Sequence, residues 1–350
     1  MTDSLTEIFS AQFDLCNVDR TQMVAVLCEH GRKQDYVDAS VAAARQCGAG
    51  AIVLTASSLS SPSLPPYNSD GREVPALLAA AGECDFVVDV TVGGLIHSDV
   101  RTRITGNGKR MLFVAEPAEV LARLMGSPDL RESVEEAADL LKYGREMTIE
   151  SAAGTCLRAD ISGDELPITQ QWGFVDEPGR WDHWPSGFIA CFPKDRTANG
   201  TIVLQPGDVL LPWGKYVRDH VTLDVHNGYI TKIDGSGADA FALRDYFARW
   251  KDPEVYALSH MGWGLHPLAS WAALNVYAPH TLYGQELRST AGNFMWSTGA
   301  NRFANRYTPA HLDIPMHSCT VKVDGVAAIN AGTVVRTSGA GSRRNSNLVT

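Results

Sequence analysis

The sequence predicts an α/β protein in two parts, a parallel-sheet α/β domain over residues 1–147 and a β-rich domain over 148–337 that carries a metal site. Three observations predict this. The 350 residues correspond to roughly two domains. The first part alternates short apolar runs with helical stretches, the texture of βαβ units around a parallel sheet. From about Thr148 the texture changes to short β-like runs, and the one sharp ligand-like spacing falls among them.

Along the first part, TQMVAVLCEH holds an apolar run suited to a buried strand, and the helical DYVDASVAAARQCGAG stops at glycine. AIVLTAS is the next strand. The Ser/Pro/Gly-rich SSLSSPSLPPYNSDGRE reads as an exposed loop. VPALLAAAGECD is helical, FVVDVTV and RMLFVAE are strands, and EPAEVLARLM and SVEEAADLLKYGREM are helical. In the second part TIESA, TCLRADI, FIACF and TIVLQ read as strands. HVTLDVHNGYITKI reads as a hairpin, because Asn227-Gly228 suits a type I′ turn between two alternating runs. One helix interrupts, around ADAFALRDYFARW, and the Gly/Ser-rich segment 338–350 reads as disordered.

Composition excludes several functions. The formal charge of −10 argues against a nucleic-acid surface, though not against a small anionic substrate, because the field of a site is local. No run of about 18 apolar residues predicts a membrane span, and MTDSLTEIFSAQF lacks the marks of a signal peptide. Seven scattered cysteines without a C-x-x-C pair suit reduced thiols, so the expected location is the cytoplasm. H-E-x-x-H, G-x-S-x-G, the P-loop and a helix-opening G-x-G-x-x-G are all missing, which disfavours zincins, α/β-hydrolases, P-loop enzymes and simple Rossmann dehydrogenases.

His311-Leu312-Asp313 is the sharpest local feature. On a strand, residues i and i+2 share a face about 7 Å apart, a span one metal ion can bridge. A further histidine would complete a 2-His-1-carboxylate triad, the donor set of non-haem Fe(II) oxygenases. His260, His266, His280 and His317 are the candidates. His260 stands at the end of an apolar run before a Gly-x-Gly turn, a usual place for a functional side chain. The patch DEPGRWDHWPSGF gathers Arg180, Trp181, Asp182, His183 and Trp184, which suits a pocket for a planar ligand or an inter-domain plug with an Arg180–Asp182 ion pair. His97 follows a predicted strand and Gly93-Gly94, where open α/β sheets place ligands.

GRWDHWPSGF, SHMGWGLHP, GNFMWSTGAN and HLDIP together resemble the 2,5-dihydroxypyridine 5,6-dioxygenase family, Fe(II) ring-cleaving enzymes of nicotinate degradation. The resemblance runs from VDRTQMVAVL to AINAGTVV. That family in turn resembles two-metal aminopeptidases, which implies an aminopeptidase-like fold. At the positions of three peptidase metal ligands this chain has Phe188, Met295 and His260, while His311 and Asp313 match the final His-x-Asp. The resemblance thus implies one Fe(II) on His260, His311 and Asp313, and a charge of +1 with two neutral imidazoles. A metal-dependent aminopeptidase or amidase is the alternative, and a non-catalytic binder a further one.

The resemblance implies a small aromatic N-heterocycle and O2 as reactants, N-formylmaleamate, then maleamate and formate, as products, and a homo-oligomer. It assigns His97 to the substrate hydroxyl proton, and places His183, Ser186 and Trp181 in the substrate loop, His183 with a catalytic part. One departure concerns substrate choice. The family has a substrate-binding Glu where this chain has Gln171, at the head of QWGFVDEPGRWDH, so a charge is lost and N–H donors are gained.

Overall fold

A computed structural model describes residues 4–56, 74–95, 99–114 and 116–335. The predicted loop at SSLSSPSLPPYNSDGRE, His97 and the segment 338–350 lie outside these residues.

The chain is mixed α/β, as its sequence predicts. A five-stranded parallel sheet has the order Gly50–Ala56, Met23–Glu29, Phe86–Asp89, Arg110–Val114, Trp181–Trp184. Its central strands are apolar on both faces because helices cover both. The last strand comes from beyond residue 147 and adds parallel to Arg110–Val114, so Trp181 stands beside Met111 and His183 beside Phe113. A helix that the sequence reading leaves out, Leu5–Leu15, opens with a Ser4–Glu7 capping box. It lays Phe9 on Trp184 and Phe13 on Phe86, with ring centroids 5.1 and 5.4 Å apart. Burying each such ring stabilises the fold by about 1.5–3 kcal/mol.

Among the described residues the second part builds two large antiparallel sheets and a two-stranded one, Val209–Leu210 with Lys215–Tyr216. The eight-stranded one contains the predicted hairpin, Val221–His226 and Tyr229–Asp234, with Asn227 and Gly228 at φ of +48° and +77°. The helix predicted near ADAFALRDYFARW spans Ala238–Trp250. All seven cysteines are free thiols.

The five-stranded antiparallel sheet has the order Arg306–Met316, Phe294–Asn301, Leu258–Gly264, Phe188–Cys191, Ile168–Gln171. Here the structure departs from expectation. His260 lies inside a strand that runs on through Gly262 and Gly264, not at a strand end before a turn. Both glycines serve close backbone approach: a Cβ on Gly262 would stand 1.9 Å from the Ile189 carbonyl oxygen, and one on Gly264 2.3 Å from that of Thr290.

Among the described residues no helix is long and apolar enough to cross a membrane.

Candidate metal centre

Two neighbouring features of one sheet create the centre. His311 and Asp313 project from the same face of Arg306–Met316, as the period of two requires. His260 reaches that face from the strand two places away, across Phe294–Asn301. An irregularity in the register between Leu258 and Met261 re-aims it, and its backbone N–H donates to Ser297 Oγ at 3.0 Å. The intervening strand is small where it faces the site, with Ser297 opposite Asp313 and Gly299 opposite His311.

The ligand atoms of His260, His311 and Asp313 lie within 4.8 Å of one another. Both imidazole Nε2 atoms face one carboxylate oxygen, Asp313 Oδ1, at 3.3 Å from His260 and 3.1 Å from His311. That oxygen is buried and accepts no well-aligned hydrogen bond. Buried polar atoms are ordinarily satisfied, so an unsatisfied carboxylate oxygen between two imidazoles fits a cation shared by all three.

The other carboxylate oxygen is already engaged. Arg288 donates from Nε at 2.9 Å and from Nη2 at 2.7 Å, both to Asp313 Oδ2. Burial alone would raise the Asp313 pKa, but His311, Arg288 and His260 outweigh it and hold the carboxyl well below its usual range. Burial lowers the pKa of His260, which favours the neutral imidazole a metal requires. The expected charge of +1 therefore omits a guanidinium, and one dication, one carboxylate and Arg288 sum to two positive charges.

The other candidate histidines are held elsewhere. His266 is buried, and its Nδ1 accepts from the Leu268 N–H at 3.2 Å. His317 lies 3.0 Å from Asp208 and stacks on Trp271. His280 sits in the short turn Pro279–Thr281.

The centre opens into a cleft of about 2310 Å³ between the parallel sheet and the antiparallel sheet. Phe188 and Met295 pack with Ala190 into an apolar wall. The patch around Trp181 is both pocket and plug. Trp184 is buried in the core, and Asp182 forms the ion pair with Arg180 at 2.7 Å while accepting from the Trp172 and Gly173 N–H groups. Trp181 and His183 line the cleft, where the His183 ring is edged by Trp181, Phe113 and Tyr283 at centroid distances of 4.7, 5.3 and 5.7 Å.

A buried polar triad borders this box. Gln285 Nε2 lies 3.3 Å from both Gln171 Oε1 and Ser186 Oγ, and Ser186 Oγ lies 3.5 Å from Gln171 Oε1. Gln171 and Gln285 line the cleft. The segment carrying Gln285 is fixed from the other side by Glu116, a buried carboxylate that accepts from the backbone N–H groups of Tyr283, Gln285 and Glu286. Sequence reasoning misses Arg288, Gln285, Tyr283 and Glu116. No spacing marks them, since each meets its partner through tertiary contact alone.

The sequence matches the model of the NicX family, 2,5-dihydroxypyridine 5,6-dioxygenase, over residues 4–336. It is 38% identical over 340 residues to a 2,5-dihydroxypyridine 5,6-dioxygenase of Pseudomonas putida, covering 95% of this chain and 96% of that one. The structure superposes on 2,5-dihydroxypyridine dioxygenase from Pseudomonas putida KT2440 with a TM-score of 0.90, over 96% of this chain and 98% of the other. AmpT from Thermus thermophilus shares the fold at a TM-score of 0.61 and 13% identity, over 95% and 99% of the two chains.

Proposed function

The chain belongs to the 2,5-dihydroxypyridine 5,6-dioxygenase family, and on that premise we propose that it opens the ring of 2,5-dihydroxypyridine, or a close hydroxypyridine, with O2, using one Fe(II) held by His260, His311 and Asp313. The observation that carries the metal assignment is the convergence of both imidazoles on the one oxygen of Asp313 that Arg288 leaves open. Bound there, Fe(II) supplies open coordination positions at which substrate and O2 can meet. The apolar Phe188 and Met295 offer no ligands for a second metal, which disfavours the two-metal peptidase alternative.

The chain's own residues bind and orient. The positive field of Arg288 favours a ring with a deprotonated hydroxyl. Trp181, Phe113 and Tyr283 form a box of planar walls in which His183 is placed to hold a hydroxyl proton. His97 takes the hydroxyl proton in this reading, on the strength of the family resemblance alone. Gln171 uses its Oε1 toward Gln285 and Ser186, so its Nε2 is the group offered to the ring, a donor where the family carries a carboxylate acceptor.

Opening between the hydroxyl-bearing carbon and the carbon next to nitrogen takes both atoms of O2 and gives N-formylmaleamate, which water converts to maleamate and formate. Anaerobic Fe(II) titration tests the ligand set. One ion per chain is expected, with loss of binding in His260→Ala, His311→Ala and Asp313→Ala and an unchanged circular dichroism spectrum. A variant that keeps full iron removes its residue from the set. His97→Ala is expected to keep iron and lose turnover, and iron loss there would reverse its role.

A further inference from the structure

The cleft is larger than a single six-membered ring requires, since pockets for drug-sized ligands fill roughly 300–1,000 Å³. Two arginines that line it have no part in holding the ring or the metal. Arg101 stands on the helix Asp99–Gly106, which follows the parallel strand Phe86–Asp89. Arg302 stands on the turn Arg302–Ala304, which joins the two strands that carry Ser297 and His311. Both side chains line the cleft that holds the metal cluster, one from each wall.

Neither guanidinium has a carboxylate partner among the described residues, whereas Arg123, Arg131, Arg180, Arg288 and Arg306 in the same region are all ion-paired. Arg101 lies over the Trp181 ring at 4.4 Å, and Arg302 over the Phe303 ring at 4.7 Å. These stacks orient two planar cations but leave their N–H edges to other acceptors. Arg101 is half-buried, and the charged group that acts on it is Arg302, a like charge. Two like charges that act on each other in one cleft, with no carboxylate partner among the described residues, raise the energy of the empty cleft and are relieved when an anion enters.

We propose that Arg101 and Arg302 form an anion subsite of this cleft that holds the carboxylate of a small planar acid. A carboxylate is the anion such groups suit, because the planar fork of guanidinium N–H donors matches its two coplanar oxygens. The acid has two possible sources, and naming them rests on the ring-opening reading. It is either a carboxyl substituent on the incoming pyridine, or the carboxylate created when the hydroxyl-bearing carbon is released from the ring. Trp181 joins the subsite to the metal box, since its ring faces Arg101 and edges His183.

The test uses full-length, metal-free protein and calorimetric titration with charged and uncharged isosteres. Pyridine-3-carboxylate is compared with pyridine-3-carboxamide, and maleamate with maleamide. In wild type at least one carboxylate should bind about tenfold more tightly than its amide, and added salt should weaken the carboxylate alone. Arg101→Gln and Arg302→Gln should each abolish most of that preference, with Arg101→Lys restoring part of it. Preference within the pyridine pair identifies an incoming acid, and preference within the maleamate pair an outgoing one. Equal binding of acid and amide in wild type would overturn the subsite, as would equal loss of both ligands in Arg302→Gln, whose exposed side chain is not needed for folding. Failure of O2 chemistry would leave this readout intact, so the two proposals fall separately.

Discussion

Arg288 places two nitrogens on one oxygen of Asp313 and thereby reserves the other oxygen for the two imidazoles. The carboxylate is limited to one free donor atom, and its charge is balanced before any ion arrives. Arg288 acts as a positioning residue through its grip on Asp313.

Replacing it separates two effects. Arg288→Gln leaves a buried carboxylate without its cation, which should destabilise the metal-free protein by about 3 kcal/mol. A bound dication takes over part of that role. Fe(II) should therefore raise the melting temperature more in the variant than in wild type, by linkage. An equal rise in both proteins would show that Arg288 does not restrain Asp313.

In the proposed function Gln171 decides which edge of the ring is read. Gln171→Glu replaces the Nε2 donor by an acceptor while Gln285 and Ser186 keep their places. The variant should favour rings that present N–H at this position over rings that present an acceptor, by about tenfold in relative kcat/KM. Unchanged ratios across a hydroxypyridine panel would remove residue 171 from specificity.

Glu116 joins the parallel-sheet part to the segment that carries Gln285 and Arg288. Burial raises its pKa, and the three backbone N–H groups oppose that rise. Glu116→Gln turns an acceptor atom into a donor facing those N–H groups, at a cost of about 1–3 kcal/mol. KM should rise through displaced Gln285 while iron stoichiometry stays at one per chain. A KM equal to wild type would reduce Glu116 to a purely structural role.

His266 gives a pH signature. Burial lowers its pKa from 6.5 to about 4, so between those values the unfolded chain binds the extra proton. Stability is full above pH 6.5 and declines as pH falls through this window, by up to about 3 kcal/mol. His266→Asn keeps an acceptor for the Leu268 N–H and removes the titration. Its melting temperature should fall less between pH 7 and pH 4.5 than that of wild type, and parallel curves would rule His266 out as the source.

The sequence carries periodic and turn-coded features well. The two-residue period of His311 and Asp313 sets their shared face, and Asn227-Gly228 sets the hairpin. The helix Leu5–Leu15 also carries a local signal, the Ser4–Glu7 box at its start. Spacing leaves His260 level with three other histidines, and the resemblance singles it out. Its aim depends on a register irregularity against a neighbouring strand, which no local pattern encodes. Arg288, Gln285 and Glu116 were illegible for the same reason, as isolated polar residues whose partners lie far along the chain.

Oxygen uptake by anaerobically prepared, Fe(II)-loaded protein tests the central claim most directly. With 2,5-dihydroxypyridine, or another hydroxypyridine if Gln171 has changed the preference, the account predicts one O2 consumed and one formate released per ring. No O2 consumption with any hydroxypyridine, by protein that holds one iron per chain, would contradict it.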